Sequence, residues 1–132
     1  MADDLSTPQT SQSALVPPNN IAAEAAILGA VLFDNNAFQR VADILKPGDF
    51  YAPAHKLVYE TMQTLIQQGR VADGVTLREH FDKNDLLTGI GGAVYLANLL
   101  DSAAFGPEIQ DYARMVRDLS VRRELIDLSG NM

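Results

Sequence analysis

The sequence predicts an all-α fold, a compact bundle of about six helices with the last one long. Three observations carry this. Apolar residues recur at three- and four-residue spacing along most of the chain, helix-start and helix-stop residues fall between those runs, and one run is apolar on nearly every side. That run is Ile21 to Phe33, where Glu24 is the only charge. Ile21, Ala25, Leu28 and Leu32 line one face, and Ile27 and Val31 widen it beyond an ordinary surface stripe. Such a helix must be wrapped by others and is expected at the centre of the domain. Its start is well marked: Pro17 and Pro18 hold the backbone extended, Asn19 or Asn20 can accept from the first free amides, and Glu24 suits the positive end of the dipole.

The remaining elements follow in order. Asp34 or Asn35 can cap a second helix carrying Phe38, Val41, Ala42 and Leu45, which Lys46-Pro47-Gly48 ends. Pro53 opens a third, with Leu57/Val58, Thr61/Met62 and Leu65/Ile66 inward and Gly69 as its left-handed terminator. Asp73-Gly74 forms a turn, and Thr76-Leu-Arg-Glu79 reads as a capping box that starts a short helix holding Leu77 and Phe81. Gly91-Gly92 introduces a helix with Ala93, Leu96, Leu99 and Leu100 on its inner side, ended by Gly106-Pro107. From Pro107 to Ser129 nothing interrupts the pattern, so one helix of about 34 Å is expected there. The first fifteen residues, polar and without periodicity, are expected to be a disordered tail. Residues 16–106 are then the globular part and 107–132 the long helix and its sequel.

Composition bounds the function. A chain of 132 residues with 47% hydrophobic content can bury one sizeable core, and the absence of cysteine excludes disulfides and thiolate chemistry. No secretory leader or membrane span is expected, so the protein is read as soluble and cytoplasmic. A net charge of −7 argues against direct nucleic-acid binding, since phosphate contact demands clustered lysine and arginine. Four of the ten basic residues, Arg114, Arg117, Arg122 and Arg123, do cluster near the C-terminus, with acids between them.

No catalytic grouping is legible. His55 and His80 lack metal-ligand spacing and are read as surface or capping residues. Thr88-Gly-Ile-Gly-Gly92 has no preceding strand and no lysine after it, so its glycines are assigned to a tight turn and helix packing, as is Gly29. Asp82 and Asp85 belong to a solvated face. A helix-turn-helix over residues 54–68 and the helix after Thr76 would offer Arg78, His80 and Lys83 to phosphate, yet Glu79, Asp82 and Asp85 crowd the same helix.

A binding module remains. On the last helix Ile109, Tyr112, Val116, Leu119 and Ile126 follow a heptad-like spacing with Arg123 in the missing position. Such a seam needs either this domain's own core or a partner helix, and the chain ends soon after Ser129. It is therefore expected to be the first arm of a truncated helical hairpin.

Ordered matches along residues 16 to about 128 give this module a family. Val16-Pro-Pro, Ile21, Ala23-Glu24, Leu28-Gly29 and Asp34 come first, then Gly48-Asp-Phe-Tyr51 with His55 and Tyr59. Asp73-Gly-Val-Thr76 with Glu79 follows, then Gly91-Gly92 with Tyr95-Leu96, and finally Tyr112-Ala113, Val116-Arg117 and Arg123. Together they resemble the N-terminal domain of the bacterial replicative hexameric DNA helicase, the DnaB family. The resemblance implies that this piece has no catalytic, cofactor or metal site of its own. It also implies that a missing C-terminal RecA-like motor uses ATP and Mg2+ to move on single-stranded DNA. N-terminal domains of that family pair through a hairpin into a collar on the hexameric ring, where primase docks, and a helicase loader is a further partner. Leu119, Leu125 and Ile126 are expected to face a partner, with Arg122 and Arg123 at a polar rim. Tyr95 is a further candidate, at the domain rim against primase or else as a half-buried core tyrosine. The competing reading is an unrelated acidic helical adaptor or regulator.

Overall fold

Asn20 does open the first helix, its side-chain oxygen accepting the Ala23 amide at 3.0 Å. In this computed structural model, which describes residues 16–84 and 92–129, every regular element is helical. The six α-helices are α1 (Ile21–Phe33), α2 (Ala37–Ala42), α3 (Pro53–Gln67), α4 (Gly74–Asn84), α5 (Gly92–Asp101) and α6 (Glu108–Ser129), with a 3-10 turn at Pro47–Asp49. The sixth is the longest at 22 residues and runs unbroken.

Helix α1 is the axis of the molecule. Ala23, Glu24 and the whole run Ala26–Leu32 are buried on it, and α6 and α5 make its largest contacts. Close approach to α5 depends on Gly29, where a Cβ would collide with the Leu99 carbonyl oxygen and the Ala103 backbone. The Ala104 amide then donates to the Ala26 carbonyl at 3.1 Å, tying the chain after α5 to the same surface. Of the two roles expected of Gly92, a tight turn and helix packing, it shows the first. It has room for a side chain but sits at φ 50°, so its use is conformational. Gly91 lies outside the described residues.

Three boundaries depart from the sequence reading. Helix α2 stops at Ala42, and Leu45 reaches the core through a turn in which its amide donates to the Val41 carbonyl at 2.8 Å. Asn35 does not cap α2. Its side chain donates to the Val31 and Ala72 carbonyls and accepts the Ala72 amide, each at 2.8 Å, stapling the end of α1 to the approach of α4. Helix α4 starts at Gly74 and not after Thr76, because the reciprocal capping pair is Asp73 with Thr76. The Thr76 amide donates to Asp73 Oδ1, and the Asp73 amide to Thr76 Oγ1, both at 2.9 Å. Threonine thus occupies the third helical position of the box and aspartate the cap.

The core is filled largely as the periodicity predicts, from Ile27, Leu28 and Val31 through Phe38, Val58, Met62, Leu65, Leu77 and Phe81. Tyr59, absent from the expected inward set, is fully buried beside Phe38 and Phe50, and its hydroxyl donates to the Leu45 carbonyl at 3.0 Å. On α5 only Leu96 and Leu99 of the expected inner four turn inward; Ala93 and Leu100 are exposed. No helix among the described residues is long and apolar enough to cross a membrane.

Candidate protein-interaction surface

Two buried carboxylates hold this bundle in shape, and both escape a reading by periodicity. Glu24 is 1% exposed in the first turn of the apolar α1. It serves the start of α3, whose own cap residue Ala52 has no side chain to offer. Glu24 Oε2 accepts the Tyr51 amide at 2.7 Å, Oε1 accepts the Ala52 amide at 3.3 Å, and His55 Nδ1 lies 2.9 Å from Oε1. With the carboxylate ionised, Nδ1 carries the proton and donates. His55 is therefore a buried partner of Glu24 and not a surface residue. The detectable signal was Glu24 itself, because a charge on a helix that is apolar all round must find a partner.

The second carboxylate, Asp49, anchors α6. One of its oxygens, Oδ1, accepts Arg117 Nη1 at 2.7 Å and the Ser120 hydroxyl at 2.8 Å, while Oδ2 accepts the Lys46 amide at 2.8 Å. Three residues on, Arg123 Nη2 donates to the Asp49 carbonyl at 2.7 Å and Nη1 to the Pro18 carbonyl at 2.8 Å. Its guanidinium sits 5.3 Å from the centre of the Tyr51 ring. Arg123 is thus committed within the chain, where the sequence reading had set it at a partner's rim. Arg117 shares that inward role.

These contacts divide the expected seam. The inner face of α6 is Ile109, Ala113, Val116 and Ser120, all buried, continued by Arg123. Positions offset by three residues fall about 60° round the helix, and that second set is Tyr112, Leu119 and Ile126, flanked by Met115 and Arg122. Tyr112 and Leu119 are half-buried, Met115 is 39% and Ile126 44% exposed, and Arg122 is open to solvent. In the last two turns Leu125 and Leu128 are 58% and 77% exposed. A shallow depression of about 400 Å³ lies beside Met115, Leu119 and Arg122. So Ile109 and Val116 pack on this domain's own core, whereas Leu119, Leu125 and Ile126 flank or extend past it.

Tyr95 turns towards His55, with ring centroids 6.4 Å apart and planes at 26°. It is half-buried, and among the described residues its hydroxyl has no hydrogen-bond partner. Burial, and next the nearby charge of Glu24, push its phenol up to about 12. Among the described residues no group of three or more histidine, aspartate or glutamate side chains could hold a metal ion. The outward face of α4 sets Arg78 within 3.8 Å of Asp82, with Glu79 exposed beside them, so acids stand among its basic residues.

Together these features define the class: a small all-α domain wrapped round a buried central helix, with an amphipathic terminal helix that runs on past the core. Residues 16–118 match the model of the DnaB-like helicase N-terminal domain, and the chain belongs to that family. Its relatives include the replicative DNA helicase DnaB of Geobacillus stearothermophilus, 38% identical over 84% of this chain, and that of Pasteurella multocida, 32% identical over 92%. The chain spans about a quarter of their lengths, 24% and 26%. Among solved structures it is similar to the N-terminal domain of DnaB helicase from Mycobacterium tuberculosis. The TM-score there is 0.80 at 38% identity, covering 85% of this chain and 81% of that one. It also shares its fold with the N-terminal domain of DnaB helicase from Helicobacter pylori, solved with attention to its interactions with primase. That likeness has a TM-score of 0.71 at 21% identity and covers 97% and 93% of the two chains.

Proposed function

We propose that this chain is the collar and docking piece of a replicative DNA helicase, pairing with a second copy in a hexameric ring and receiving primase. The observation that carries it is the end of α6, where Leu125, Ile126 and Leu128 stand exposed on a helix whose earlier turns bury one face. Three exposed apolar residues within the last two turns favour a partner helix over water. Leu119 and Arg122 lie nearer the core and form the near edge of the contact. Arg123 contributes by holding the helix in place, while Tyr95 packs on His55. On this reading a further helix completes a hairpin with α6, and a motor domain elsewhere in the protein uses ATP and Mg2+ to translocate on single-stranded DNA in the cytoplasm. A helicase loader is a further partner of the assembled ring. The support is membership of the family, the relatives' identity as replicative helicases, and the primase interaction of the Helicobacter pylori domain.

Sedimentation across a concentration series tests the pairing. A form carrying about forty residues beyond Met132, enough for a second hairpin helix of about two dozen residues and its loop, should self-associate, while residues 1–132 stay largely monomeric. A firm dimer of the shorter form would count against the hairpin. In the longer form Ile126→Ala should weaken pairing or primase binding, and unchanged values in both would remove Ile126 from the interface.

A further inference from the structure

A second surface, sharing no lining residue with the depression beside α6, lies in the groove between α4 and α5. It measures about 750 Å³. Its apolar lining is Val75, Ala93, Ala97 and Leu100 over the buried Leu96, with Val75 76% and Leu100 41% exposed. Helix α4 gives the core only Leu77 and Phe81 among its described apolar residues, so the side bearing Val75, Arg78 and Asp82 is left uncovered. The rim is acidic. Asp73, Glu79 and Asp82 stand against a single Arg78, and the Arg78–Asp82 pair, 3.8 Å apart with both side chains well over half exposed, is screened by solvent.

Charge decides what can lie there. The chain's own first fifteen residues contain Asp3 and Asp4 and neither lysine nor arginine, and a second copy brings a net charge of −7. Either would set acid against acid, which costs binding free energy across an interface. The two flanking helices, of 11 and 10 residues, run for about 15 Å, a length that suits two to three turns of a third helix laid between them. We infer that the α4–α5 groove takes an amphipathic helix from another protein, its apolar face on Val75, Ala93, Ala97 and Leu100 and its flanking lysines or arginines on Asp73, Glu79 and Asp82. This is a docking site separate from the end of α6, and it holds whether or not that end pairs copies of the chain. The mode is helix in groove, with apolar anchors giving affinity and charge giving selection.

The probe is a labelled synthetic helix of about 14 residues, with leucines at i, i+3, i+4 and i+7 and lysines on both flanks, beside a counterpart with glutamate for every lysine. Fluorescence anisotropy against residues 1–132 should show saturable binding of the lysine peptide that weakens as salt rises, and at least about tenfold weaker binding of the glutamate peptide. Leu100→Ser should weaken the lysine peptide by a similar factor; the exposure of Leu100 keeps the fold intact, as circular dichroism will verify. Paired Glu79→Lys and Asp82→Lys should invert the preference, so that the glutamate peptide now binds better. Glu60→Lys, which alters net charge on the exposed side of α3, should leave the lysine peptide's affinity within about twofold. Equal binding of both peptides would overturn the proposal, as would no binding of either. Loss of affinity in Glu60→Lys as large as in the groove variants would overturn it too, because bulk charge and not the groove would then be responsible.

Discussion

Helix α6 has two regions of similar composition and opposite fate. From Glu108 to Ser120 it gives Ile109, Ala113, Val116 and Ser120 to the core, and beyond Arg123 every described side chain from Glu124 to Leu128 is exposed. Nothing in helix propensity separates the halves, since leucine, arginine and glutamate are good helix formers in both. What differs is tertiary cover. The bulk of α1, with Asp49 beneath it, supports the first half, and the last grip is the Arg123 guanidinium on the Asp49 and Pro18 carbonyls. The lesson is that a continuous helix can be a structural member at one end and a presented surface at the other, with a single arginine marking the change.

Substitutions can break that contrast. Ile109→Ala, in the buried half, should cost about 2–5 kcal/mol of stability through lost burial and a residual cavity, read from urea unfolding. A cost near zero would mean the first half is not a core element. Arg123→Ala removes two charge-assisted hydrogen bonds and a ring contact and should cost about 1–3 kcal/mol. Amide hydrogen exchange should show the gain in fraying concentrated after Ser120, whereas uniform loss of protection would place Arg123 in the global core. Leu128→Ser should change the stability of residues 1–132 by no more than about 0.5 kcal/mol, as for an exposed position without partners in the core. A larger loss would show that the end of α6 is already covered within one molecule.

Much of this architecture was legible in the sequence. The helices over residues 21–33 and 53–67 and the long terminal helix follow from Pro-Pro, Pro53, Gly69 and apolar spacing, all local signals. The α4 start was misplaced because Asp73 and Thr76 together satisfy the same capping logic as Thr76 and Glu79, and sequence gives no way to choose between overlapping boxes. The seam on α6 was seen but not its division. A heptad on a straight helix drifts by about 20° per repeat, so its two sets of positions meet different surroundings once the neighbouring helices stop. Glu24 and Asp49 were missed as organisers because their partners, the Tyr51 amide and Arg117, lie 27 and 68 residues away in sequence.

The sequence by itself determined that this chain is helical, where its central helix lies, and which family it resembles, because periodicity, caps and breaks act within a few residues. Only the tertiary structure decided that Glu24 starts another helix from across the core, that Arg123 faces inward while Leu128 faces out, and that an acidic groove opens between α4 and α5. Each of those depends on which distant backbone amide, carboxylate or apolar surface a side chain meets, and no local pattern records that meeting.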